Sequence, residues 1–82
     1  MEAQRQEINH IDTEIVKLLE QRLKLAAEIG YIKKKAGMPI EDKAREEQII
    51  ADRLKSTKLD KDFIKKFFEM LFKESKRIQA QM

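Results

Sequence analysis

The residues that suggest chemistry most directly are cations placed where a helix should bury aliphatic side chains. Arg22 interrupts a helical seam that otherwise consists of Ile8, Ile11, Ile15, Leu18, Leu25, Ile29 and Ile32. A buried charge is tolerated only when it is paired or bound to a ligand, unless the side chain reaches water. Lys33 follows 11 residues later, about 20° from the same helix face, so both side chains could converge on one small anion. Lys33 alone would be interpreted as a solvated lysine.

A second group of polar residues borders the apolar face of the next predicted helix. Arg45 and Glu46 precede Ile49 and Ile50 by one helical turn. A surface ion pair explains them equally well, and Glu46 could simply complement the dipole at the helix N-terminus. Asp42 is first of all a helix N-cap and only secondarily a candidate for a site.

The third predicted helix carries Ser75 and Gln79 one turn apart, at the end of an apolar stripe. Such residues can mean only that the stripe is leaving the core, although the Gln79 amide can donate or accept a hydrogen bond in a buried place. Gly30 lies inside the first helix at a cost of about 1 kcal/mol. The sequence leaves open whether Gly30 makes room for another helix or for a ligand.

Arg5 is too far from Arg22 to serve the same ligand from the same helix. The two are 17 residues apart, which is about 25 Å along a helix and roughly 100° around it. Arg5 could reach the site only from a second chain, as in an antiparallel dimer of first helices. Otherwise it is a solvated arginine near the N-terminus.

The inventory of reactive residues excludes most covalent mechanisms. The chain has no cysteine and one histidine, His10, which lies off the seam. Disulfides, thiolate chemistry and a histidine-based zinc site are therefore excluded, and we expect no metal or cofactor. A cationic pocket with one amide and one carboxylate suits the binding of a small dianion, or the stabilisation of charge that moves within it.

Three helices, long, short and long, must position these residues, so the predicted fold class is all-α. Apolar residues spaced by 3 and 4 predict the first helix over residues 4–35, and Gly37 and Pro39 end it. Asp42 and Asp60 are N-cap residues for helices over residues 42–55 and 60–80. We expect a single domain over residues 1–82.

The length of the first helix predicts a homodimer. A helix of 32 residues is about 48 Å long, whereas a compact chain of this size has a radius of gyration of only about 12 Å. The helix must overhang any monomeric core, and its seam needs a partner, most simply the same helix of a second copy. We therefore expect an intimate homodimer that forms one shared helical bundle.

Charge and hydropathy limit the kinds of partner that the protein could bind. The net charge is +3 with interspersed signs, and the only tight basic run, Lys33 to Lys35, contains no aromatic residue. We therefore expect no nucleic-acid binding. The sequence has no signal-peptide pattern and no apolar run near 18 residues, which predicts a cytoplasmic protein without a membrane segment.

The chain resembles the all-helical AroQ-class chorismate mutases over nearly its whole length. The resemblance is carried by the order and spacing of five segments: RQEINHID from Arg5, LLEQR ending at Arg22, A-x-E-I-G-x-I-K ending at Lys33, P-I-x-D-x-x-R-E ending at Glu46, and E-S-x-x-x-Q ending at Gln79. It implies a domain-swapped homodimer with two active sites. The implied reaction is the pericyclic Claisen rearrangement of chorismate to prephenate, in the shikimate pathway to phenylalanine and tyrosine, with no cofactor.

The family's ligand-binding pattern falls on the residues already singled out. The resemblance implies that one subunit supplies Arg22, Lys33, Asp42, Arg45, Glu46, Ser75 and Gln79, and that the other supplies Arg5. Arg22 and Arg5 would bind the two substrate carboxylates, with Ser75 supporting one of them. Lys33 and Gln79 would donate to the ether oxygen. Glu46, with the helix start at Asp42, would hold the ring hydroxyl, and Arg45 would organise Glu46.

Three alternatives stay open at the level of sequence. Isochorismate-pyruvate lyases share the fold and much of the cationic pocket, and the D-x-x-R-E segment ending at Glu46 favours the mutase over them. A regulatory mutase-like module, fused to or associated with another aromatic-pathway enzyme, would look similar. The chain could also be a plain helical dimerisation module, in which case the charges in the seam would have no function.

Overall fold

The computed structural model describes residues 1–81, which form three α-helices. Helix α1 spans Glu2–Ala36, α2 spans Lys43–Lys55 and α3 spans Lys61–Ala80. No strand occurs in the described residues, so the all-helical, three-helix prediction is confirmed. Within residues 1–81, none of the helices combines the length and apolarity needed to cross a membrane.

Local sequence signals explain where the helices begin and end. Gly37 ends α1 with a left-handed backbone (φ 68°), and its N–H bonds to the carbonyls of Lys33 and Lys34. The carboxylate of Asp42 accepts a hydrogen bond from the backbone N–H of Arg45 at 3.0 Å, which caps α2. Asp60 caps α3 in the same way.

The core is small and lies mainly between α1 and α3. Its buried apolar side chains are Ala26, Ile64, Leu71 and Phe72. Gly30 is also buried, and a Cβ atom there would lie 2.9 Å from both Cβ and Cγ of Gln79. The glycine therefore permits the close approach of α3 to α1, which decides the question that the sequence left open.

The N-terminal half of α1 extends beyond this core. The chain measures 52 × 24 × 16 Å and has a radius of gyration of 15.4 Å, compared with about 12 Å for a compact chain of this length. Ile8, Ile11 and Ile15 are 54%, 57% and 45% exposed. This N-terminal part of the seam therefore remains exposed in the described chain, whereas farther along α1 the buried residues are Ala26 and Gly30.

Candidate functional site

A cavity of about 440 Å³ lies between the helices and is lined by residues from all three of them. Around it the structure brings together every residue that the sequence assigned to one subunit of the site: Arg22, Lys33, Asp42, Arg45, Glu46, Ser75 and Gln79. Leu25, Ile29 and Ile49 supply part of its apolar wall. The cavity is thus mainly basic in its charged groups and aliphatic between them.

Arg22 is half-buried and makes its hydrogen bond to a neutral partner. Its Nη1 donates to Ser75 Oγ at 3.1 Å, and the Ser75 hydroxyl in turn donates to the carbonyl of Leu71 at 3.0 Å. The guanidinium carbon lies 5.8 Å from the centroid of the Phe72 ring. Burial, and then the like charge of Arg53, lower the pKa of Arg22, although an arginine stays protonated at neutral pH.

The charge of Arg22 is therefore available to an anion. In the described part of the chain no carboxylate forms an ion pair with it. Ser75 is itself buried, and its bond to Arg22 holds the guanidinium at the wall of the cavity.

Two further hydrogen-bond donors are held in place by backbone carbonyls. Gln79 Nε2 donates to the carbonyl of Ala26 at 3.1 Å, and Lys33 Nζ donates to the carbonyl of Ile40 at 3.1 Å. Each nitrogen carries at least one more hydrogen. Both donors therefore remain able to bond a ligand in the cavity while one bond fixes their position.

The start of α2 brings a carboxylate to the cavity, but with an unexpected partner. We expected Arg45 to organise Glu46, and this is wrong: Arg45 Nη1 donates to Gln48 Oε1 at 3.4 Å. Glu46 Oε2 instead lies 3.1 Å from Lys76 Nζ. The reason is geometric, because Arg45 is directed along α2 whereas Glu46 is directed across to α3.

Sequence reasoning missed two cations that line the same cavity, Lys76 and Arg53. Arg53 lies seven residues after Glu46 and therefore on the same face of α2, which is a signal that could have found it. Its guanidinium carbon is 5.8 Å from the centroid of the Phe68 ring. Lys76 directly follows Ser75 and gave no periodic signal of its own.

Arg5 is not part of this cavity. It lies on the overhanging part of α1, and its Nη2 is 3.9 Å from the sulfur of Met1. The single chain therefore leaves the cavity without the arginine that we expected from a second subunit.

The arrangement binds anions and does not resemble a metal centre or a nucleophilic site. In residues 1–81 no three side chains among histidine, cysteine, aspartate and glutamate are grouped as metal ligands. Five cations, two carboxylates and one amide line a cavity that has room for a small organic acid. Such a site can orient a dianion and stabilise negative charge that develops within it.

Comparison with known proteins gives a consistent result. Residues 4–80 match the sequence model of the family described as chorismate mutase type II. A chorismate mutase from Methanocaldococcus jannaschii is 36% identical over 81 residues, which cover 94% of this chain and 81% of that protein. The structure of a chorismate mutase from Thermus thermophilus superposes with a TM-score of 0.81 and 34% identity, over 90% of this chain and 95% of that one.

A longer relative contains a similar segment. A bifunctional chorismate mutase/prephenate dehydratase from Buchnera aphidicola is 37% identical over 82 residues. The match covers 95% of this chain but only 21% of that protein.

Proposed function

The chain belongs to the type II chorismate mutase family, which makes it an isomerase that converts chorismate to prephenate, and we propose that the cavity between its three helices is the active site. One observation carries this proposal. Seven side chains that lie far apart in the sequence surround a single cavity, and the half-buried Arg22 among them lacks a carboxylate partner in residues 1–81. A dianionic substrate would supply that partner.

The reaction needs orientation and electrostatics but no covalent help. The ether C–O bond breaks and a C–C bond forms within one molecule, so that no base, nucleophile or cofactor takes part. The enzyme has to hold a flexible dianion in a chair-like geometry, which can contribute several kcal/mol. It also has to stabilise the negative charge that grows on the ether oxygen, for which fixed donors contribute about 3 kcal/mol each.

The cations divide between the carboxylates and the ether oxygen. In our proposal Arg22, supported by Ser75, binds one carboxylate, and Arg5 of the partner subunit binds the other. Lys33 and Gln79 donate to the ether oxygen. Their bonds to backbone carbonyls support this assignment, because a donor that is already fixed loses little entropy when charge develops beside it.

The carboxylate side of the cavity would hold the ring hydroxyl. Glu46 accepts a hydrogen bond from this hydroxyl. The first turn of α2, after Asp42, also helps to hold it. Arg45 contributes positive potential at the helix start rather than a bond to Glu46.

We propose further that two chains form an intertwined, domain-swapped homodimer. The exposed seam of α1 and its overhang support this, because an aliphatic stripe of this length is unfavourable in water. Antiparallel first helices would bring Arg5 of the partner subunit to the cavity.

We propose in addition a fusion or association with another aromatic-pathway enzyme, which the bifunctional relative supports. A cytoplasmic location also stays a prediction.

A turnover assay tests the reaction. Purified protein is mixed with chorismate, the loss of ultraviolet absorbance is followed, and the product is identified. We expect prephenate. Release of pyruvate from isochorismate would assign the chain to the lyases instead, and no turnover of either compound would leave only a binding or dimerisation role.

A further inference from the structure

Lys76 forms an ionic cluster with Glu41 and Glu46 at the edge of the cavity. Its Nζ lies 3.2 Å from Glu41 Oε1 and 3.1 Å from Glu46 Oε2. Helix α3 presents the side chains of Ser75, Lys76 and Gln79 to the same cavity. The cluster therefore joins the start of α2 to the part of α3 that carries two proposed substrate contacts.

The cluster differs from the surface ion pairs of this chain. The side chains of Lys76 and Glu46 are 32% and 24% exposed, whereas those of Lys66 and Asp62 are 77% and 78% exposed. Exposed pairs contribute little because solvent screens them. The hydrogen bond from Lys76 to Glu46, aided by the one to Glu41, raises the pKa of Lys76 and keeps the ammonium charged.

Glu46 creates an electrostatic problem that this ammonium can solve. A carboxylate in a cavity that admits a dianion repels it, because like charges at close range raise each other's energy and solvent screens them less in a partly buried site. A cation bonded to that carboxylate offsets the repulsion and leaves the second carboxylate oxygen able to accept a hydroxyl.

The cluster also helps to fix the distance between Glu46 on α2 and the cavity-lining residues of α3. Within the described chain, α2 approaches α3 but not α1. The position of Glu46 relative to Ser75 and Gln79 therefore depends on contacts between α2 and α3, and Lys76 contributes an ion pair to these contacts.

We propose that Lys76 is a positioning residue of the mutase: its ammonium holds the Glu46 carboxylate in place and offsets its charge, so that the cavity accepts a dianionic substrate. This inference rests on the proposed function of the cavity. It assigns Lys76 no contact with the reacting atoms.

A double-mutant cycle tests the proposal. Lys76→Met should lower kcat/KM for chorismate about tenfold, the size expected for the loss of one charge-assisted hydrogen bond. Glu46→Gln removes the charge that Lys76 offsets, so adding Lys76→Met to it should change kcat/KM less than about twofold. Lys76→Arg should retain most of the activity. Lys66→Met, which breaks the exposed pair on the same helix, is the matched control and should leave kcat/KM unchanged.

A second readout does not depend on activity. The ¹⁵N resonance of the Lys76 ammonium should shift in Glu46→Gln and not in Asp62→Asn, which also keeps the test decisive if Lys76→Met fails to fold. Equal losses from Lys76→Met in both backgrounds, no loss in either, or an unmoved ammonium resonance would each overturn the positioning role. If the wild-type protein does not convert chorismate, the proposed function itself fails. That failure is distinguishable from a failure of the positioning role, because wild-type activity is measured before any variant is compared.

Discussion

Half-burying a guanidinium without a carboxylate costs free energy, because desolvation disfavours the charged form. Arg22 recovers part of this cost through the Ser75 hydroxyl and the face of the Phe72 ring. Neither partner neutralises it. At the scale of single residues, this cation destabilises the fold as long as no anion is bound. That cost is the strongest sign that the position serves a ligand.

Replacing Arg22 by alanine separates this role from a structural one. Arg22→Ala should lower kcat/KM by about a hundredfold or more, as expected for the loss of a prepositioned charged donor. It should leave the helical content and thermal midpoint nearly unchanged, because no carboxylate is orphaned and Ser75 keeps its bond to Leu71. Steady-state kinetics and far-UV circular dichroism measure both.

Lys24→Ala is the control for that substitution, because Lys24 is an exposed cation two residues further along the same helix. It should behave as the wild-type protein does. Near-normal turnover by Arg22→Ala would show that Arg22 does not bind the substrate.

Some features of single residues can be recognised from sequence, and others depend on how the helices pack. A misplaced charge in a periodic seam can be recognised from sequence, which is how Arg22 was found. Whether Glu46 bonds to Arg45 or to Lys76 depends on how α2 lies against α3, and no local pattern encodes that. The functional roles of these residues stay predictions.

At the scale of helices, the caps and the one buried glycine determine how the cavity walls meet. Asp42 and Asp60 cap α2 and α3 through equivalent bonds to backbone N–H groups. Only Asp42 also lines the cavity. Sequence predicted both caps because the capping residue is local, and it could not choose a role for Gly30 because that role depends on a contact with α3.

The two caps form a matched pair of variants. Asp42→Ala and Asp60→Ala should each destabilise the fold by about 1 kcal/mol, the usual cost of losing an N-cap. Asp42→Ala should in addition raise KM for chorismate, because the start of α2 would lose its fixed position beside the cavity. Thermal unfolding and kinetics on both variants test this, and an equal effect of the two on KM would contradict it.

Gly30→Ala tests the closeness of α1 and α3. Alanine favours a helix by about 1 kcal/mol over glycine, yet we expect a lower thermal midpoint and lower activity. The new Cβ would meet the Cβ, Cγ and Cα atoms of Gln79 at 2.9–3.0 Å, and so the helices would have to separate and move the proposed donor.

Gly37→Ala provides the comparison for Gly30→Ala. Nothing lies within 4 Å of a Cβ at Gly37, but its φ of +68° strains any other residue, at a cost of about 1 kcal/mol. This variant should lose stability and keep its activity. A Gly30→Ala protein that is more stable than the wild type would show that the helices are not constrained there.

At the scale of the whole molecule, the chain exposes more apolar surface than so small a protein can easily tolerate. Among residues 1–81 four apolar side chains are buried, while the apolar residues of the α1 seam are about half exposed or more. A core of this size contributes little stability on its own. Sequence predicted the overhang from helix length alone, although it could not predict that the residues of α1 buried against the rest of the chain would be Ala26 and Gly30.

The most direct test of the account is complementation between two inactive variants. Arg5→Ala and Arg22→Ala chains are unfolded together, refolded at equal concentration and assayed with chorismate. If each active site combines Arg22 of one chain with Arg5 of the other, half of the dimers are mixed and each of these has one intact site, so the mixture should regain about a quarter of wild-type activity. Activity no greater than the sum of the two variants refolded separately would contradict an active site shared between two chains.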